Sequence, residues 1–314
     1  MNSFAGKVIL VTGANGFIGR HLVKRLSTIE GVKLLLLSRQ KTQPQHDNQI
    51  WLQCDLSELT PEYMSSQGAK HVDYVFHLGA FIPKISSDIN NIEGALQDNI
   101  FGTSNLLNSL PNRPDKFVFS STIDVYAPSG VDEVLTEDSR VSPSNLYGAS
   151  KYFCEQLISA WAEENNCKLS ILRYGHIYGP GEEQYSKLIP EVIRTLLSGG
   201  SPTIYGDGSV LKDFLYVKDA VEATVRAALI DVSANVVNIV CGESVTVKEV
   251  VEMLVLSVGK NIKIRYLFEQ KNGISQLFDN SRMNSVLGAF SMTSLEKGLA
   301  DEVLYFINMN NSGS

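Results

Sequence analysis

Tyr147 and Lys151 stand in Tyr147-Gly148-Ala149-Ser150-Lys151, a spacing that puts both side chains on one face of a helix. An ammonium beside a phenol favours the phenolate and lowers its pKa, so the pair can exchange a proton with a hydroxyl or ketone near neutral pH. Upstream, Phe117-Val118-Phe119 runs into the hydroxyl cluster Ser120-Ser121-Thr122. A hydroxyl at the end of a strand can hydrogen-bond a reacting oxygen and hold it beside Tyr147. Each motif alone also reads as surface helix or as a polar strand end with capping hydroxyls.

A second pattern concerns phosphate. Val11-Thr12-Gly13-Ala14-Asn15-Gly16-Phe17-Ile18-Gly19 lies between a strand-like run and a helix-like one. Gly13 permits a tight turn, Gly16 lets a pyrophosphate approach the backbone, and Gly19 lets helix and strand pack closely. The helix N-terminus supplies N–H groups and positive dipole. This reading makes Gly13, Asn15, Gly16, Phe17, Ile18 and Gly19 cofactor-binding candidates. The next strand, Leu34–Leu37, ends in Ser38-Arg39, with no acidic residue before Asp47. An acid there would serve the ribose hydroxyls of NAD, whereas Arg accommodates a 2′-phosphate. The charge favours NADP, with NAD as the alternative; Arg39 as a solvated surface cation is the plain reading.

These residues need a frame. Val8–Thr12, Lys33–Leu37, Ile50–Gln53, Tyr74–Leu78, Phe117–Ser120 and Leu169–Arg173 are short apolar runs. Helical patterns at Ile18–Ser27, Asn99–Ser109 and Lys151–Glu163 lie among them. The alternation predicts βαβ units and a doubly wound parallel α/β sheet covered on both faces. After Arg173 the chain is richer in turns. The expectation is a dinucleotide-binding domain over 1–175, joined again by 212–240, and a smaller substrate domain from 176–211 and 241–314. Phe214–Tyr216 and Val236–Ile239 are expected to return to the large domain, and the tail to fray from Asn310.

The chain has 314 residues, 44% hydrophobic, with net charge −7. That length supports a large core without disulfide or metal. Mild acidity without a dense basic run argues against nucleic-acid binding. Cys54, Cys154, Cys167 and Cys241 are scattered, and the histidines show no ligand spacing, so reduced thiols and no metal site are expected. No apolar run is long enough for a membrane span. A cytoplasmic enzyme is the expectation.

Taken in order, the motifs resemble the extended short-chain dehydrogenase/reductases, especially their nucleotide-sugar epimerases, dehydratases and reductases. Cys54-Asp55-Leu56 is similar to the family's adenine-contacting strand end, and His77-Leu78-Gly79-Ala80 to its segment along the cofactor. Asn99-Ile100-Phe101-Gly102-Thr103 is similar to its NxxGT helix. Arg173 to Gly181, with Tyr174 and His176, resembles the loop after the sixth strand, and Lys212-Asp213-Phe214 its RDF segment. The resemblance implies a Rossmann fold and a catalytic triad of Thr122, Tyr147 and Lys151. It adds Asp55, Leu56, Leu78, Gly79, Ala80, Asn99, Tyr147, Lys151, Tyr174 and His176 to the cofactor site. It implies substrate contacts at Pro83, Thr122, His176, Lys212 and Arg282. His176 stands where relatives often carry Asn, and Lys212 where they carry Arg, so a changed diphosphate grip follows. The resemblance also implies a homodimer built on the NxxGT and YxxxK helices, with Phe153, Leu157, Ile158 and Trp161 as apolar surface.

Relatives that dehydrate carry two acids after the threonine, and here these positions are Ile123 and Asp124. An alkyl side chain cannot protonate a leaving hydroxyl, which disfavours elimination. The expectation is NADPH-dependent reduction of a nucleoside-diphosphate 4-keto-6-deoxyhexose, the alternative an NAD-dependent nucleotide-sugar 4-epimerase. A regulator that binds dinucleotide without catalysis, or an enzyme of a non-sugar carbonyl compound, lies further out.

Overall fold

The structure is a computed structural model and describes residues 4–83, 91–128, 130, 133–231, 234–259, 262–268 and 275–312. The apolar runs become β1 (Val8–Thr12), β2 (Lys33–Ser38), β3 (Gln49–Gln53), β4 (Tyr74–His77), β5 (Lys116–Thr122), β6 (Lys168–Tyr174) and β7 (Ala234–Ile239). They form one seven-stranded sheet in the order β7-β6-β5-β4-β1-β2-β3, parallel throughout. Successive side chains alternate faces. Ile9, Val11, Leu34 and Leu36 enter the core on one side, and Leu10, Leu35 and Leu37 the core on the other. Two-sided burial is why these strands read as continuous apolar runs. The chain order reverses between β1 and β4, and a crevice opens there at the carboxyl ends of the strands.

The helix Phe17–Ser27 follows β1. The segment expected as a helix over Asn99–Ser109 begins earlier, at Ile92, and carries a π-helical stretch over Ala95–Phe101 before Gly102–Ser109. The YxxxK helix runs Leu146–Glu164 and starts just before its tyrosine, because Asn145 caps it by accepting the Gly148 amide at 2.7 Å.

In the second half, Val236–Ile239 lies within β7 of the large sheet, whereas Phe214–Tyr216 lies in a different sheet. The edge of β6 is taken by β7, so Leu211–Tyr216 pairs instead with His176–Tyr178 and Ser244–Thr246 in a three-stranded sheet of its own. The terminal helix Leu295–Ser312 is regular beyond Asn310, where fraying was expected. Among the described residues no helix is long and apolar enough to cross a membrane.

Candidate active site

β1 ends at Thr12 and the chain must turn into the helix at Phe17. Gly13 makes the turn at φ +66°, and a Cβ there would lie 2.7 Å from the Gly79 nitrogen. A Cβ on Gly19 would lie 2.0 Å from the Gly13 carbonyl oxygen, so only glycine lets helix and strand approach this closely. Gly16 caps the helix without a side-chain acceptor, and the first turn holds no acid. The uncapped amides line the cleft. This cradle fits a dinucleotide's pyrophosphate, whose oxygens supply the missing acceptors.

A buried chain of hydrogen bonds fixes the opposite lip. The Gly79 amide donates to Thr12 Oγ1 at 3.0 Å, Thr12 Oγ1 meets His77 Nδ1 at 2.7 Å, and His77 Nε2 meets Thr103 Oγ1 at 2.9 Å. Burial, aided by the Lys151 charge, lowers the His77 pKa to about 3. The ring is therefore neutral; the assignment that satisfies each donor has Nδ1 accepting from Thr12 and Nε2–H donating to Thr103. Asn99 works beside it. Its amide accepts from Phe81 N at 2.6 Å and donates to Phe81 O and to Ser150 Oγ. Expected to touch the cofactor, it stands behind the cleft wall and ties that wall to the catalytic helix.

The cleft measures about 1260 Å³ and is lined by Gly13, Asn15, Ser38, Arg39, Asp55, Leu56, Leu78, Gly79, Ala80, Pro83, Thr122, Tyr147, Tyr174, His176 and Lys212, all named from the sequence. At its outer end Arg39 is not a free cation. Its Nη1 donates to Asp98 at 3.1 Å and lies 3.9 Å from Asp55. Asn15 meanwhile donates to Ser38 Oγ and Thr42 Oγ1.

Thr122 ends β5 and its Oγ1 accepts the Asp124 amide at 3.2 Å. A Cβ on Gly148 would lie 2.2 Å from the Asp124 carbonyl oxygen, so the glycine after Tyr147 lets the catalytic helix seat against β5. Burial raises the Tyr147 pKa, with Asp124 and Tyr185 adding to it. The expected lowering by Lys151 is thus not what this state shows: Lys151 lies 4.2 Å over the Phe119 ring. Burial lowers its own pKa to about 8, against the charges of Cys154 and Glu155. The resting phenol is protonated. Lys151 is not itself among the cleft-lining residues; it lies buried beneath them.

The inner half is built by the turn after His176 and by Leu211–Tyr216. His176 packs against Phe214, and burial, with Lys212 and Lys187 nearby, lowers its pKa to about 3. A neutral imidazole is no electrostatic grip for a diphosphate. Lys212 donates to Gln276 Oε1 at 2.6 Å. Arg282 lies outside the cleft lining, 2.7 Å from Asp138 and 3.5 Å from Glu137. Sequence reasoning passed over Lys187, Tyr185 and Asp98, which all line the cleft. Asp98 stands 59 residues from Arg39 in the chain, and no local pattern joins the two. Lys187 sits in a loop whose path no local pattern indicates.

The sequence profile of the NAD dependent epimerase/dehydratase family matches residues 9–239. The chain belongs to that family. Its relatives are extended short-chain dehydrogenase/reductases acting as nucleotide-sugar epimerases, dehydratases and reductases. The chain is 29% identical to a UDP-N-acetyl-alpha-D-glucosaminuronate decarboxylase of Bacillus cytotoxicus, over 97% of this chain and 99% of that one. It is 28% identical to a dTDP-4-dehydro-6-deoxy-D-allose reductase of a Streptomyces species, over 96% and 97%. Its structure is similar to that of UDP-glucose 4-epimerase from Thermotoga maritima with UDP-glucose, at TM-score 0.84–0.85 for such epimerases (0.85 here), 29% identity, and 96% and 99% coverage. Like other members of the NAD-dependent epimerase/dehydratase family, this chain is an enzyme of the nucleotide-sugar type.

Proposed function

We propose that the chain oxidises and re-reduces a ring carbinol of a nucleotide sugar with retained NAD, as a 4-epimerase. The observation that carries this is the charge around Arg39. One guanidinium against the carboxylates of Asp98 and Asp55 leaves this end of the cleft net negative. That suits ribose hydroxyls and opposes a 2′-phosphate, which moves the preference from NADP, expected from Arg39 alone, to NAD. The similarity to UDP-glucose 4-epimerase supports the same reading.

When bound, the nicotinamide accepts and returns the hydride. The chain's own residues do the rest. Thr122 and Tyr147 hold the reacting oxygen, and Tyr147 carries its proton. Lys187 and Lys212 offer positive charge to a diphosphate, and Tyr185 and Phe214 supply apolar wall. Ile123 replaces one of the two acids that relatives with dehydratase activity carry, leaving only Asp124 of the pair in the cleft lining. A second reading, reduction of an NDP-4-keto-6-deoxyhexose by NADPH, is favoured by the protonated state of Tyr147, the form that donates to a ketone oxygen.

Denaturing the purified protein and identifying any released dinucleotide, then incubating with UDP-glucose and UDP-N-acetylglucosamine and resolving the C4 epimers, tests both. Released NAD with epimer formation is expected. Exchangeable NADPH preferred strongly over NADH would overturn the epimerase in favour of the ketoreductase. Asp98→Asn should raise the relative affinity for NADPH; an unchanged ratio would remove the charge argument.

We also infer a homodimer through the helices Leu146–Glu164 and Ile92–Ser109. Phe153 and Phe101 are 52% and 50% exposed, and Ile92 and Leu96 are exposed as well. Trp161, expected there, packs on Phe117 at 5.9 Å, and Ile158 is buried.

A further inference from the structure

On the helix Phe17–Ser27, Phe17, Arg20 and His21 stand three and four residues apart, on one face. That face meets the turn 179–187, which joins the strand His176–Tyr178 to the helix Leu188–Leu197. His21 Nε2 lies 2.7 Å from the Pro180 carbonyl oxygen. A carbonyl only accepts, so this nitrogen carries the proton and donates. Burial lowers the His21 pKa, with the Pro180 bond opposing, so the donor is a neutral imidazole near neutral pH. Around this bond the approach is close. Arg20 lies 3.9 Å from Glu183, and a Cβ on Gly181, at φ +102°, would lie 3.4 Å from the Arg20 side chain. Phe17 meets the Tyr185 ring edge-on at 6.3 Å and lies 5.3 Å from the Lys187 ammonium. Lys187 and Tyr185 in turn line the cleft. One helix therefore touches both halves of the site: its first amides face the dinucleotide cradle, and its side chains face the turn that carries Lys187.

We propose that His21 is a positioning residue: its bond to Pro180 holds the turn 179–187, with Lys187 and Tyr185, at a fixed offset from the pyrophosphate cradle. A nucleotide sugar gripped by that turn is thereby registered against the dinucleotide, which rests on the reading of the cleft as a nucleotide-sugar site. The offset matters because a misplacement of about 1 Å between reacting groups can cost ~10²-fold in rate. The later half of the turn has supports of its own. The Tyr185 amide donates to the Glu182 carbonyl at 2.9 Å, and Arg194 donates to the Glu183 and Tyr185 carbonyls. Pro180, near its start, has no N–H and is held through its carbonyl by His21. Lys187 is aimed from within the same unit, donating to Glu182 at 2.9 Å and to the Ile177 carbonyl at 3.1 Å. Removing the imidazole leaves those two bonds in place. What changes is where the turn stands relative to the cradle, not the charge it carries.

Hydrogen exchange of the protein without nucleotide sugar, read by mass spectrometry, tests the anchor independently of any substrate. His21→Ala keeps a good helix former at the position. In that variant the peptide spanning 179–187 is expected to exchange about tenfold faster, with peptides from Phe17–Ser27 and Leu188–Leu197 unchanged. His21→Gln, whose side-chain amide N–H replaces Nε2–H, is expected to restore the protection. Exchange unchanged over 179–187 in His21→Ala, or raised equally in the two helices, would overturn the anchor. Titration with UDP-glucose and dTDP-glucose then reads the registration. Affinity is expected to fall about tenfold in His21→Ala, the worth of one hydrogen bond, and to recover in His21→Gln, with dinucleotide affinity nearly constant throughout. Nucleotide-sugar affinity unchanged beside a loosened turn, or an equal loss of dinucleotide affinity, would overturn the positioning role. A loosened turn in His21→Ala, with neither nucleotide sugar bound by the unaltered protein, would overturn the nucleotide-sugar reading and leave the anchor established.

Discussion

Lys151 has an ammonium whose pKa burial brings to about 8, well inside the range where activity is measured. The charged form is present below that value and lost above it, so kcat should fall as pH rises through about 8. A pH–rate profile flat to pH 9.5 would show that the charge is dispensable. Tyr147 is raised in the opposite sense, also by burial. Removing its hydroxyl removes the proton carrier and little packing. Tyr147→Phe should therefore lose about 10²–10⁴-fold in kcat with dinucleotide affinity nearly unchanged, measured by steady-state kinetics beside cofactor fluorescence titration. Equal activity in that variant would place the proton transfer elsewhere.

At the scale of elements, the candidate catalytic residues Thr122, Tyr147 and Lys151 depend on a buried clamp. Glu155, one turn beyond Lys151, accepts from Arg173 Nε at 3.0 Å and Nη2 at 2.7 Å and from the Ser121 hydroxyl. It thereby joins the catalytic helix to β6 and to β5 just before Thr122. Breaking a buried pair leaves an uncompensated charge, so Glu155→Gln should destabilise by about 3–5 kcal/mol. The measurement is a urea midpoint shifted at constant slope; a shift under 1 kcal/mol would show that water reaches the guanidinium. This clamp also marks what could be read beforehand. The strands of the sheet and the glycine cradle were legible because two-sided burial and tight turns restrict residue type locally. The tyrosine–lysine spacing was legible because it follows the helical turn, whereas the seat of Lys151 over Phe119 was not. Glu155 with Arg173 and Asp98 with Arg39 meet through tertiary packing, which no local spacing encodes. The neutral state of His176 depends likewise on its burial beside two lysines. Phe214–Tyr216 was expected only to return to the large domain; it is a strand, and its partner was decided by which segment took the edge of β6.

For the whole molecule, association is the first quantity to measure. A charge placed on the exposed apolar face should separate the subunits: Phe153→Arg is expected to convert a dimer into a monomer by light scattering, with its circular dichroism kept. A dimer that survives the change would direct attention to another surface. The path of the chain has a separate consequence, for synthesis. β7 is the last strand of the sheet along the sequence, yet it covers β6, made some sixty residues earlier, through the register Ala234–Ile239 on Ser170–Tyr174. A nascent polypeptide that has emerged only through residue 230 would present Leu169, Ile171 and Leu172 on an open edge, the kind of surface that recruits foreign strands. The segment between the two strands must therefore emerge before the sheet can close, and over that interval the open edge is the kind of surface that chaperones exist to protect.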